Sequence, residues 1–278
     1  MEIAYGPHSA HRLDYYCPAS NSINNNQQHA LIVFVHGGAW RSEDKADHAA
    51  LARALLDRTG CAVAVPNYRL TTPDNPIQHP SHSQDVLRSL HFLSTWSGPE
   101  PSKPLPPPSR LYLLGHSCSA HILASIFLNS PYDELTPSPE LLAATRGIAC
   151  SEGIYDIDRL LHSFPTYKEW FIAPAFGNKE DFSHANVASY PLRRGGEHIR
   201  WLIIHSDADT LVDQLQSQTM YDHLCTLAAG SSSPATRIEK NFDELKEEHN
   251  DLLKGEVYPR IIADFVKHDL AEADASAA

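Results

Sequence analysis

Positive charge is scarce in this chain: 22 Lys and Arg stand against 34 Asp and Glu, a formal charge of −12. A surface of that sign repels phosphate backbones and anionic lipid heads, so neither nucleic acid nor a membrane surface is an expected partner. Long apolar runs are missing as well. No stretch approaches the ~18 apolar residues needed to span a bilayer, and Met1-Glu2-Ile3-Ala4-Tyr5-Gly6-Pro7 has no basic region followed by an apolar one. Cysteine is sparse and odd in number. Cys17, Cys61, Cys118, Cys150 and Cys225 are scattered, with no Cys-x-x-Cys, and no Asn-x-Ser/Thr acceptor site occurs. This argues against a disulfide framework and suits free thiols in a reducing compartment, so a cytoplasmic location is expected. The 17 histidines include no His-Glu-x-x-His, and His79 and His82, beside the Pro-rich stretch 73–80, have no third ligand nearby. They read as solvated loop histidines, and no metal site is expected.

What the chain does have is short apolar, β-branched runs alternating with helical segments, the pattern of an α/β fold with a mostly parallel central sheet covered by helices on both faces. Strands are expected at Leu31–Val35, Cys61–Val65, Arg110–Leu114, Gly147–Ser151, Arg200–His205 and Thr236–Lys240. Helices are expected at Glu43–Arg58, Ser83–Trp96, Ser119–Asn129, Leu215–Ala229 and Val257–Leu270; in the second, Val86, Leu90 and Leu93 share a face. One domain over 1–278 is the simplest reading. The Pro-rich stretch 98–108 reads as a surface loop. Residues 155–194 lack a strand pattern but carry Phe164, Tyr167, Trp170, Phe171, Phe176 and Tyr190. Lying between strands at the carboxyl edge of the sheet, they read as a small cap insertion.

Two turns carry chemistry. Leu31-Ile32-Val33-Phe34-Val35 breaks into His36-Gly37-Gly38-Ala39-Trp40, a turn able to hold backbone N–H groups open toward a developing negative oxygen. Later, Leu111-Tyr112-Leu113-Leu114 ends in Gly115-His116-Ser117-Cys118-Ser119 before a helical segment. Strand, tight turn with Ser at its apex, then helix is a nucleophile elbow, although Ser119 replaces the usual second Gly. Oxyanion donors are expected from the N–H of Cys118, of Gly38, and of either Gly37 or Ala39.

In this order the two turns resemble those of the α/β-hydrolase fold, whose acid follows a late strand and whose histidine follows the last one. On that resemblance Ser206-Asp207-Ala208-Asp209-Thr210-Leu211-Val212 supplies the acid, Asp209, with Asp207 as the alternative. Glu247-Glu248-His249-Asn250-Asp251 supplies the base, His249. Ser117, Asp209 and His249 are then the catalytic triad.

The tryptophan of His36-Gly37-Gly38-Ala39-Trp40 resembles the kynurenine formamidase (arylformamidase) family more than esterases with His-Gly-Gly-Gly. Val65-Pro66-Asn67-Tyr68-Arg69-Leu70 and Glu152-Gly153-Ile154-Tyr155-Asp156 are similar too, the latter with Glu where the family commonly has Ser. The resemblance implies hydrolysis of N-formyl-L-kynurenine to L-kynurenine and formate, a step of tryptophan degradation, with no metal or organic cofactor required and with Trp40, Tyr155, Trp170 and Phe171 as contacts for the aromatic substrate. A carboxylesterase of small or aromatic esters is the alternative, and a hydrolase-fold binding protein without chemistry is the third. Both a monomer and a homodimer remain open.

Overall fold

The computed structural model describes residues 1–18, 30–98, 102, 105–230 and 237–277. The strands are β1 (Glu2–Ala4), β2 (Arg12–Tyr16), β3 (Ala30–Val35), β4 (Ala62–Pro66), β5 (Arg110–His116), β6 (Thr145–Ser151), β7 (Arg200–Ile204) and β8 (Ile238–Asn241). They form one sheet in the order β1-β2-β4-β3-β5-β6-β7-β8. From β4 to β8 every pairing is parallel, whereas β1 and β2 are antiparallel additions at one edge. The helices are α1 (Ala49–Thr59), α2 (Ser81–Thr95), α3 (Cys118–Phe127), α4 (Pro139–Ala144), α5 (Ile157–Ser163), α6 (Ala173–Phe176), α7 (Gln214–Gly230) and α8 (Val257–Ala277). Among the described residues no helix is long and apolar enough to cross a membrane.

Every residue of β3 is buried, as a strand covered on both faces requires. One face meets α1 and α8, where Leu51, Leu55, Ile262 and Val266 join Ile32, Phe34 and Leu114 in a core. The other meets α2, α3 and the helical turns of residues 155–194, where Val86, Leu90, Ile122 and Leu123 pack with Val33, Val35 and Leu113. Helix α1 stops at Gly60, whose φ of 70° lets its N–H close on the Leu56 carbonyl at 2.8 Å.

Several boundaries differ from expectation. The segment expected as one helix from Glu43 begins as a 3-10 turn at Lys45–His48, capped by Asp44, before α1. Helix α8 runs to Ala277, beyond Leu270. Strand β8 starts at Ile238, and the expected Thr236 lies outside the described residues. Of the Pro-rich stretch, the described residues 98, 102 and 105–108 form neither helix nor strand.

His79 and His82 are not solvated. His82 lies on α2 with no exposed surface, its Nε2 2.9 Å from Thr71 Oγ1. The His79 ring stacks on Phe176, with both ring nitrogens buried. Burial lowers the pKa of both, so they are neutral packing groups.

Candidate active site

The carboxyl ends of β3, β5, β6 and β7 converge on one region, the edge at which open α/β sheets place their chemistry. Ser117 follows β5 and starts α3, with φ 57° and ψ −123°. A non-glycine residue held there is strained, and the strain projects the side chain off the apex of the turn. The approach of strand and helix demands Gly115, since a Cβ there would lie 2.8 Å from the Ser119 carbonyl oxygen. Ser119, the departure from the usual second Gly, is fully buried. Its Oγ accepts the His116 N–H at 2.8 Å and lies 2.6 Å from the Val35 carbonyl, to which it donates. The hydroxyl thereby joins β3, β5 and α3, which explains why Ser serves at this position.

The expected acid and base are brought together. Asp209 Oδ2 lies 2.7 Å from His249 Nδ1, and Asp209 Oδ1 accepts the N–H groups of Leu211 at 2.8 Å and Val212 at 3.0 Å. Burial alone would raise the Asp209 pKa, but the bonds from His249 and Glu152, the charge of His249 and the Val212 N–H outweigh it and hold it below the ordinary carboxylate range. Asp207 points to solvent and pairs with Lys246. Ser206 donates from Oγ to the Glu247 carbonyl at 2.6 Å and ties the acid turn to the histidine loop.

Two further groups, to which the sequence assigned no role in the site, pack behind the pair. The His116 ring lies 4.8 Å from that of His249, with Nε2 3.3 Å from Asn250 Oδ1 and Nδ1 3.1 Å from Ser151 Oγ. Burial and then the neighbouring His249 lower its pKa to about 3, so it is a neutral support. Glu152, at the end of β6, is fully buried and accepts the Ser206 N–H at Oε1, 2.8 Å away. Its pKa is pushed up to about 11 by burial and by the adjacent Asp209. Among the described residues, Glu152, His205 and Asp209 form the one group of three or more His, Cys, Asp or Glu residues whose ligating atoms all come within 4.8 Å of one another. His79 and His82 are not part of it.

Gly38, Ala39 and Trp40 have φ of 88°, 53° and 59°, three successive left-handed residues that turn the backbone around the site. The turn is fastened from below. Cys118 Sγ accepts the Trp40 N–H at 3.2 Å, and Tyr68 donates from its hydroxyl to the Gly37 carbonyl at 2.9 Å. Gly38 and Ala39 line the pocket, whereas Gly37 is buried behind them. Burial pushes the Cys118 thiol up to about 12, so it stays protonated and is no nucleophile.

The pocket, about 370 Å³, is lined by Gly38, Ala39, Ser117 and His249 on the catalytic side and by Tyr167, Trp170, Phe171 and Leu211 opposite. Trp170 and Phe171 ride on a π-helical turn, Lys168–Ile172, and both line the pocket, Trp170 half exposed and Phe171 buried at its wall. That turn is tied down at both ends: Tyr167 donates from its hydroxyl to the Leu211 carbonyl at 3.0 Å, and Arg41 to the Trp170 carbonyl at 2.6 Å. Arg41 and Glu43, which no motif singles out, also face the pocket. Burial opposes charge on Glu43, but the bond from His48 and its charge lower its pKa and keep it ionised. A more open groove of about 800 Å³, lined by Thr136, Leu142, Arg193 and His198, contains none of the three triad candidates.

Two expected substrate contacts are corrected. Trp40 has no exposed surface; its ring packs edge-on to Phe176 at 4.9 Å and to His121 at 5.5 Å, in the core beneath the turn. Tyr155 is likewise fully buried, and its N–H donates to Gln216 Oε1 at 2.8 Å. Both motif aromatics support the site from within and do not line it.

Residues 13–133 match the BD-FAE family. The chain is similar to the kynurenine formamidase of Meyerozyma guilliermondii, with 28% identity over 72% of this chain and 73% of that protein. It is also similar to the isoprenylcysteine alpha-carbonyl methylesterase of Arabidopsis thaliana, with 29% identity over 82% of this chain and 52% of the other. Among solved structures, esterase B of Lactobacillus rhamnosis superposes with a TM-score of 0.74 at 16% identity, over 99% of this chain and 86% of the esterase.

Proposed function

We propose that this chain, an α/β-hydrolase by fold and a relative of the kynurenine formamidases by sequence, is the serine hydrolase that converts N-formyl-L-kynurenine to L-kynurenine and formate. The reading rests on the 2.7 Å contact between Asp209 Oδ2 and His249 Nδ1, at the wall of an aromatic pocket that Ser117 also lines. In the proposed cycle Ser117 Oγ attacks the formyl carbon while His249 Nε2 takes its proton, and Asp209 fixes the imidazole by accepting its Nδ1–H. The N–H groups of Cys118, Gly38 and Ala39 meet the charge on the formyl oxygen. His249 returns the proton to the aryl nitrogen, the C–N bond breaks, and the formyl group remains on Ser117 as an ester. Water, deprotonated by His249, then releases formate and restores the serine.

Substrate choice is supported by size and charge. A pocket of about 370 Å³ suits a single-ring substrate, and the half-exposed Trp170 ring offers a face for it, with Phe171 packed behind. Arg41 and Glu43 place a cation and an anion at the same pocket, matching the carboxylate and ammonium of the leaving amino acid. Likeness to esterase B and to the methylesterase favours a second reading, a carboxylesterase of small esters. The two separate on acyl size, because a formyl carbon carries only hydrogen. N-formylkynurenine should exceed N-acetylkynurenine and p-nitrophenyl butyrate by at least ~10² in kcat/KM, near the top of what one methylene supplies at a permissive site. A butyrate ester as the better substrate replaces this reading with the second.

A further inference from the structure

Two carboxyl groups meet behind the candidate base, and their surroundings differ. Asp209 receives two backbone N–H groups and the His249 ring. Glu152 receives one, the Ser206 N–H at Oε1. Its Oε2 is buried without a hydrogen-bond donor; His205 Nδ1 lies 3.2 Å away but bonds Ser217 Oγ at 3.0 Å. An ionised Glu152 would therefore bury an unpaired oxygen beside a second anion, at a cost neither burial nor like charge allows. A proton on Oε2 removes both difficulties. Glu152 also holds φ at 51°, a left-handed conformation costly for an L-residue, which aims its side chain at the acid.

We propose that Glu152 is a positioning residue of the triad: its protonated carboxyl donates from Oε2 to the Asp209 carboxylate, leaving one negative charge, on Asp209, to face the His249 imidazole. The donated bond gives Asp209 a side-chain partner besides the histidine and spreads its charge without neutralising it, so the imidazole keeps both its orientation and its counter-charge. The other ionisable groups facing Glu152 are His205 just after β7, Tyr155 after β6 and Tyr258 on α8. The first is buried with a lowered pKa, and burial raises the two phenols, so all three stay neutral near pH 7.

This inference rests on Asp209 and His249 as acid and base and not on the identity of the substrate. The test uses p-nitrophenyl acetate and N-formylkynurenine in parallel, with His249→Ala as the control for that assignment. Glu152→Leu, which removes the donor, should lower kcat by about 10²-fold with KM changed by less than about threefold. Glu152→Gln places an N–H where the proton sits and should recover most of the loss, with the acidic limb of the kcat/KM profile unmoved. Were Glu152 ionised, Glu152→Gln would delete a charge close to the base and shift that limb on the order of one pH unit. Such a shift, or wild-type kcat in folded Glu152→Leu, overturns the proposal. The Gln profile decides it even if the Leu variant fails to fold. Full activity in His249→Ala would instead overturn the triad assignment.

Discussion

Asp207 and Asp209 stand two residues apart in one turn, and only their surroundings tell them apart. Asp209 is enclosed and bonded to His249, while Asp207 meets Lys246 in solvent. Asp209→Asn should lower kcat by about 10⁴-fold, because an amide cannot accept the Nδ1–H and also keep its place. Asp207→Asn should leave kcat within about twofold, since an exposed pair contributes little. Equal losses in the two variants would refute the assignment. The sequence names Ser117, His249 and the two acid choices because an α/β-hydrolase orders them along the chain. It does not choose between the aspartates, because the choice depends on the chain folding Glu247–His249 against one side of the turn. Glu152 is visible only as a departure from a motif. Its meaning comes from Ser206 and Asp209, more than fifty residues away in sequence.

At the scale of elements, the parallel strands are legible because burial on both faces demands unbroken apolar runs, as in Ala30–Val35. Strands β1 and β2 escape notice. Glu2-Ile3-Ala4 is too short to show a period, and Arg12-Leu13-Asp14-Tyr15-Tyr16 turns only alternate side chains inward. Aromatic content locates the segment 155–194 but cannot assign its rings, since substrate contact and core packing call for the same residue types. Trp170 is 51% exposed, while Trp40 is wholly buried. Trp40→Ala should therefore cost about 3–5 kcal/mol of stability, the scale of an emptied aromatic site. Trp170→Ala should leave the unfolding midpoint nearly unchanged and raise KM for the aromatic formamide by about fivefold, a stacking contact being worth roughly 1 kcal/mol. Chemical denaturation and steady-state kinetics on both variants check the contrast; a destabilised Trp170→Ala with unaltered KM would move that ring into the core.

For the molecule as a whole, histidines are a large part of the interior, and the solvated-loop reading fails for His82. His36, His82, His116 and His121 are fully buried, and burial lowers their pKa values to about 4, 3, 3 and 4. In the unfolded chain each regains an ordinary value near 6.5. Between about pH 6.5 and 4 the unfolded chain therefore binds more protons than the folded one, so stability rises with pH and is lost on acidification. Each histidine contributes about 1.4 kcal/mol per pH unit well below 6.5, and four together on the order of 5 kcal/mol per unit. Glu152 acts in the opposite sense. Its folded value of about 11 lies above the unfolded one, so its contribution is complete below about pH 4.5 and is lost as pH rises. One such group offsets about a quarter of the histidine slope. Total stability of a domain is about 5–15 kcal/mol, so the fold should collapse cooperatively between roughly pH 6 and 4.5. Urea denaturation followed by circular dichroism from pH 7.5 to 4.5 measures this directly, and a midpoint that stays level over that range would mean that these rings carry their charge in the folded protein.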